Sequence, residues 1–356
     1  MKEFLKRCRY RLLGGSLAEI EQQCEEIGRQ CDEMKDQYAA IRGQYEEICK
    51  QNKELCKQNK ELRRAMDVIG AHARDAAIGA VKSEYAVRNF QGSLQSSFQI
   101  EIMSRYMDIE KSKLYRQTRR LHELLPIKNI SNRDGNLVRV GNLYDGGYVA
   151  LDRYFNSNIA YSFGISTDVS WDKYMAEQGF DVYMYDHTIE GLPEEHEKFH
   201  WRKIGIAGIY NSESPELKTF PMLMEENGHT DSKNIILKMD IEGAEWEVFD
   251  NLPDDDMTRF DQILIEMHDL NSEENFSVKE RVLEKLNKTH QLVHIHGNHN
   301  EPYVMVKGMV MPNVIECTYV KKGLCEFEDF EGFLPDELDR PNNPFWPDIY
   351  LGKWNP

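Results

Sequence analysis

The sequence predicts an α/β domain preceded by a long α-helical coiled coil. Three observations carry this reading. Apolar residues recur at heptad spacing from Leu17, and short apolar runs alternate with helix-period segments after residue 136. One of those runs, 236–239, stops at Asp240-Ile241-Glu242-Gly243-Ala244-Glu245-Trp246. A short, continuously apolar run reads as a parallel strand covered on both faces. In open α/β sheets ligands bind beyond the carboxyl ends of the strands, so three carboxylates placed there mark a site. Buried carboxylates also demand partners.

Length and charge set the limits. At 356 residues the chain holds more than one structural unit. Residues 1–125 carry 23 Lys+Arg against 19 Asp+Glu, whereas 126–356 carry 21 against 42. So acidic a domain is a poor match for nucleic acid, whose phosphates need Lys and Arg. The seven cysteines (8, 24, 31, 49, 56, 317 and 325) form no Cys-x-x-Cys pair. An odd count without a framework points to a reducing, cytoplasmic setting. No run of 18 apolar residues exists, so no membrane span is expected. The basic start, with Lys2, Lys6, Arg7, Arg9 and Arg11, is either a frayed terminus or a peripheral contact with an anionic membrane surface.

The coiled coil comes first. One heptad column holds Leu17, Cys24, Cys31, Tyr38, Tyr45, Asn52, Asn59 and Met66. Three residues later stand Ile20, Ile27, Met34, Ile41, Ile48, Leu55, Leu62 and Ile69. A seam this narrow cannot be buried on a lone helix and requires a partner. At 1.5 Å per residue it would run on the order of 80 Å. Asn52 and Asn59 in the seam favour facing amides, most simply in a parallel homodimer. Cys24 and Cys31 read as small buried hydrophobes. The predicted organisation is a basic segment (1–16), the coiled coil (17–72), a helical neck (73–125), the α/β domain (126–322) and an acidic, aromatic tail (323–356). Phe90, Leu94, Phe98, Ile102 and Met103 support helix in the neck, and Pro126, Asn129, Ser131, Asn132 and Gly135 mark the boundary.

Within the domain, strands are expected near 159–165, 181–186, 203–207, 234–240, 261–267, 291–296 and 314–321. Helices are expected over 168–179, 215–226, 244–251 and 276–289. That alternation implies a mostly parallel sheet wrapped by helices. The last two strands lack a crossover helix between them and should pair antiparallel.

The first strand-loop-helix unit reads Tyr161-Ser162-Phe163-Gly164-Ile165-Ser166-Thr167-Asp168. Gly164 permits a tight turn, and the following helix start offers free N–H groups. The second strand ends at Asp186, 22 residues after Gly164, where an acid can accept from both ribose hydroxyls. An ordinary turn with a surface Asp would explain those two residues equally well. The loop has one glycine rather than the three of a pyrophosphate loop, and Asp168 would repel a phosphate. A phosphate-free nucleoside with a positive centre, such as S-adenosylmethionine, fits better.

The motifs Tyr161-Ser162-Phe163-Gly164-Ile165-Ser166, Tyr185-Asp186-His187-Thr188 and Leu237-Lys238-Met239-Asp240-Ile241-Glu242-Gly243-Ala244-Glu245-Trp246 resemble the FkbM-type and methyltransferase-like families. Ile315-Glu316-Cys317-Thr318-Tyr319-Val320-Lys321-Lys322 and the upstream Arg139-Val140-Gly141 and Asp145-Gly146-Gly147-Tyr148 add to the likeness. It covers about 136–322. The resemblance implies a Rossmann-like, seven-stranded methyltransferase sheet with a terminal antiparallel hairpin. It also implies methyl transfer from S-adenosylmethionine, often to a hydroxyl of a sugar or glycan. FkbM-type enzymes commonly open with Asp-x-Gly-x-x-x-Gly, whereas this chain has Ser162-Phe163-Gly164, nearer the methyltransferase-like branch.

By position, Ser162, Gly164 and Ile165 would line the cofactor loop and Asp186 would hold the ribose. Asp240 would stand beside the methyl donor. Methyl transfer to a hydroxyl needs a proton acceptor, and a histidine titrating near neutrality suits the task. His268 is the first choice for this base and Asp240 the second, with Glu242 beside them. Asp145, Tyr148, Glu245, Glu266, His296 and Asn298 are expected around the substrate. Glu245 reads equally as a helix cap, and each histidine equally as a hydrogen-bonded structural residue. Asp240, Glu242, Glu266 and His268 form an oxygen-rich set that could instead hold Mg²⁺. A catalytically inactive α/β domain on a coiled-coil scaffold is the main alternative function. A nucleotide-sugar-modifying enzyme is weakened by the missing phosphate loop.

Overall fold

The computed structural model describes residues 110, 112–131, 133–154 and 158–354, together with Gln22, Glu25, Glu26 and Arg29, which are helical. The rest of the heptad seam, the basic start and most of the neck lie outside the described residues. The chain divides into two compact units, Met1–Gly79 and Ala80–Pro356.

The second unit opens with α1 (Lys113–Leu124), β1 (Lys128–Ile130) and the hairpin of β2 (Leu137–Gly141) and β3 (Gly147–Leu151). Then come β4 (Ile159–Phe163), α2 (Ser170–Glu177), β5 (Asp181–Tyr185), β6 (Phe199–Arg202), β7 (Gly205–Ile206), β8 (Leu217–Lys218) and α3 (Phe220–Glu226). The chain continues through β9 (Ile235–Met239), α4 (Glu245–Asn251), α5 (Asp254–Met257), β10 (Phe260–Met267), α6 (Phe276–Thr289) and β11 (His290–Gly297). A hairpin of β12 (Tyr303–Val306) and β13 (Met309–Pro312) precedes β14 (Ile315–Lys321) and β15 (Phe327–Asp329).

Seven strands form one mixed sheet in the order β11-β14-β10-β9-β4-β5-β6. The run from β10 to β6 is parallel, and β14 enters antiparallel between β10 and β11. This is the expected α/β sheet with its antiparallel terminal pair. Every residue of β9 and β10 is buried; β9 is apolar but for Lys238, whereas β10 also buries Asp261, Gln262 and Glu266.

The third strand is displaced from its expected place. Phe199–Arg202 pairs with β5, while 205–206 makes only a two-residue pairing with Leu217–Lys218. As the edge strand, β6 is only half-buried, so Phe199-His200-Trp201-Arg202 need not be apolar. Leu217–Lys218 also shortens the helix expected over 215–226, which starts where Pro221 occupies its first turn.

Strand order reverses between β4 and β9, the position where open sheets leave a crevice. Gly164 and Asp240 meet there. Gly164 N–H donates to the Tyr185 carbonyl and Asp240 N–H to the Phe163 carbonyl, each at 3.0 Å.

The tail is packed onto the domain. Leu334, Ile349, Leu351 and Trp354 join the main core. Trp354 stacks on His122 at 4.2 Å and donates its indole N–H to the Leu125 carbonyl at 2.8 Å. Among the described residues no helix is long and apolar enough to cross a membrane, and Cys317 and Cys325 are free and buried.

Candidate active site at the carboxyl edge of the sheet

The turn after β9 builds the centre of the site. Glu245, at the start of α4, accepts N–H bonds from Ile241 and Gly243, both at 2.9 Å. Those bonds close the turn and place an acid where the helix dipole favours one. The same carboxylate meets His268 Nδ1 at 3.0 Å. Glu245, itself buried, therefore closes the turn and also bonds the histidine. Trp246 locks the arrangement from the next position, its indole N–H donating to the His268 carbonyl at 2.7 Å.

Asp240, Glu266 and His268 come together, with one ligand atom from each lying within 4.8 Å of the others. His268 Nε2 is 3.8 Å from Glu266 and 3.4 Å from Glu242. Glu242 itself is solvent-exposed and holds a positive φ of 56°. It stands at the mouth of the cluster rather than inside it. Asp240 accepts the Tyr148 hydroxyl at 3.2 Å. Burial and the neighbouring carboxylates keep that phenol protonated and therefore a donor.

His268 departs from its expected state. Burial lowers its pKa, but the bond to Glu245 and the charges of Glu245, Glu266 and Asp240 outweigh burial and raise it to about 10. The imidazole is thus already protonated at neutral pH and cannot accept a hydroxyl proton. The role of free general base does not fit it in this arrangement. Its cation also offsets part of the charge of the carboxylates around it.

Glu266 shows the opposite tendency. Burial, then Asp240 and Glu316, push its carboxyl well above the ordinary range. Asn298 donates to it at 2.9 Å. Glu316, directly opposite Glu266 across β10 and β14, accepts from Asn342 at 2.7 Å. His296 spans Glu316 at 3.1 Å and Asp348 at 2.9 Å, and these acids raise its pKa well above the ordinary histidine value against the effect of burial. Asp145 is exposed on the β2–β3 loop, where Asn342 reaches it at 3.5 Å.

The cofactor loop differs from expectation in its side chains. Ser162 is fully buried inside β4, and Ile165 packs in the core with Trp171 and Val182. Neither side chain is open to solvent, whereas Ser166 and Thr167 of the same loop are exposed. Asp186 orders that loop. One carboxylate oxygen accepts N–H bonds from Ile165 and Ser166, both at 2.9 Å. The other accepts from the Thr188 N–H at 2.8 Å and the Thr188 hydroxyl at 2.6 Å. Four donors fill the four lone-pair positions a carboxylate offers. Although burial opposes it, these bonds hold the Asp186 pKa below its usual value.

Some participants carried no sequence signal. Lys238 sits within an otherwise apolar strand, yet it is buried and donates to the Gly164 carbonyl at 2.5 Å. Asn342 and Asp348 belong to the tail, 26 and 52 residues beyond the Glu316 and His296 that they bond. Glu316 was readable only through its pairing opposite Glu266.

Residues 156–297 match the family model described as Methyltransferase FkbM domain. Probable methyltransferase-like protein 24 of Homo sapiens is 29% identical over 118 residues, covering 30% of this chain and 32% of that protein. The chain thus spans about a third of that relative's length. The matched family segment holds β4 to β11, with the Gly164 loop, Asp186 and the Asp240–Glu266–His268 cluster. Over that segment the chain is similar to the FkbM-type methyltransferases.

Proposed function

We propose that this protein is an S-adenosylmethionine-dependent O-methyltransferase acting on a hydroxyl of a sugar or glycan. The observation that carries the reading is the acid–histidine cluster at the strand-order reversal, inside a domain of a methyltransferase family. When bound, the cofactor supplies an electrophilic methyl group on a positively charged sulfur. The donor set suits such a charge, since Asp240 and Glu266 face one point beside a loop without a pyrophosphate cradle.

Asp186 would hold the ribose by exchanging the Thr188 hydroxyl for a ribose hydroxyl, one hydrogen bond for another. The backbone at Gly164 and Ser166 would bound the cofactor on the other side. The proton of the acceptor hydroxyl passes to Asp240, because His268 is already protonated. Glu245 keeps His268 in place through Nδ1, and the imidazolium N–H at Nε2 offsets the charge of the carboxylates it faces. Mg²⁺ dependence is not part of the proposal.

The test is calorimetric titration with S-adenosylmethionine, with and without Mg²⁺, followed by methyl transfer to a panel of methyl glycosides. Asp240→Asn should lower turnover by about 10²–10⁴-fold, the usual size of general-base catalysis. Its cofactor affinity should change less than about tenfold, or 1.4 kcal/mol. Unchanged turnover would remove Asp240 from the site. The filled acceptor positions of Asp186 favour the alternative of an inactive domain on a coiled-coil scaffold. Failure of S-adenosylmethionine to bind would decide for it.

A further inference from the structure

A cleft of about 320 Å³ lies between the β12–β13 hairpin and the C-terminal tail. Its walls include Tyr303, Trp346 and Tyr350, and its polar groups are His299, Glu301 and Asp348. All of these residues lie beyond 297, where the family match ends. The size is at the low end of ligand pockets.

Two buried donors in this cleft lack acceptors. The indole N–H of Trp346 has no partner, and neither has Nδ1 of His299. His299 Nε2 accepts the Asn343 N–H at 3.3 Å, which assigns the ring proton to Nδ1. Burial lowers the pKa of this ring and keeps it neutral. Both atoms are closed to solvent, so a ligand oxygen would reach either one only with a shift of the tail, which would relieve the cost of about 1–3 kcal/mol that an unpaired buried donor carries. Glu301 and Asp348 supply acceptors on the same walls. Tyr350 and the neighbouring Phe345 leave large aromatic surface in solvent.

Two carboxylates beside aromatic walls suit a ring with hydroxyls around its edge and C–H groups on its face. The acids repel carboxylate and phosphate substituents. The cleft also adjoins the catalytic cluster. Asp348 bonds His296 Nε2, whose Nδ1 meets Glu316. Glu301 interacts electrostatically with His268 and Glu242.

We propose that this cleft is the acceptor subsite and takes a neutral or amino-bearing pyranose, a reading that rests on the methyl-transfer function proposed above. The tail then supplies the specificity of a site whose donor chemistry resides in residues 156–297.

The experiment is saturation-transfer NMR on the full chain with methyl β-galactopyranoside, methyl 2-amino-2-deoxyglucopyranoside and methyl glucuronopyranoside, beside calorimetry with S-adenosylmethionine. The first two glycosides should bind and the glucuronide should not. Trp346→Ala should weaken binding of the first two at least about tenfold, as expected for loss of an aromatic anchor. Trp346→Phe should weaken it less, with cofactor affinity unchanged in both. Should Trp346→Ala fail to fold by circular dichroism, Glu301→Gln supplies the second variant and should weaken binding of the amino glycoside, and unchanged binding would overturn the subsite. Glycoside binding indifferent to Trp346→Ala, equal binding of the glucuronide, or cofactor binding without any glycoside binding would each overturn the subsite. Absence of cofactor binding would overturn the methyl-transfer reading instead, and the glycoside arm can be read without it.

Discussion

His268 concentrates the electrostatics of the site in one ring. Burial alone would make it neutral, yet Glu245, Glu266 and Asp240 carry its pKa to about 10. Unfolded, the ring returns to the ordinary histidine value of 6.5. Its stabilising contribution is therefore complete below pH 6.5 and disappears as the pH rises through 10, with a size on the order of a few kcal/mol. The stability gap between the wild type and His268→Gln in urea should be widest at pH 6 to 7 and should shrink steadily towards pH 10. A gap that does not change with pH would remove the imidazolium from the account. The sequence showed which histidine stands at the strand end. Its protonation state was not readable, because that depends on carboxylates from three separate strand ends and turns.

At the scale of elements, the join between β4 and β9 is the tightest point of the site. Gly164 holds φ +77°, and a Cβ built there would lie 1.5 Å from the Asp240 carbonyl oxygen. No rotamer change relieves a contact with backbone, so the two loops would have to move apart. Gly164→Ala should destabilise the domain by about 3 kcal/mol or more, combining backbone strain with overpacking. Thermal circular dichroism should show a fall of roughly 6–12 °C at the usual 2–4 °C per kcal/mol. A fall of less than about 2 °C would show that the close approach is not maintained. The central strands β9 and β10 were legible because burial on both faces favours short apolar runs such as Ile235-Ile236-Leu237 and Ile263-Leu264-Ile265. The edge strand β6 was misplaced because Phe199-His200-Trp201-Arg202 needs no such run.

At the scale of the whole molecule, the heptad seam and the α/β domain are separate sources of behaviour. The proposed parallel dimer belongs to residues 17–72, most of which lie outside the described residues. By analytical ultracentrifugation the full chain should sediment at twice its 41.7 kDa, whereas residues 80–356 should sediment as a monomer. A monomeric full chain would overturn the dimer, and a dimeric fragment would move the interface into the second unit. The tail, by contrast, is part of the domain. Trp354 and His122 bring the chain end against the end of α1, and Asp348 and Asn342 reach the acid cluster from there.

By itself the sequence determined the α/β class, the antiparallel terminal pair, the heptad seam and the identity of the acids and histidines at the strand ends. Those features follow from local periodicity and from where apolar runs stop. Only the tertiary structure decided that Ser162 and Ile165 face the core, that Asp186 is engaged by four donors, and that His268 is a cation. Side-chain direction, hydrogen-bond saturation and protonation depend on groups distant in sequence and adjacent in space. The same holds for the aromatic cleft, since its two walls are separated by about forty residues and share no pattern.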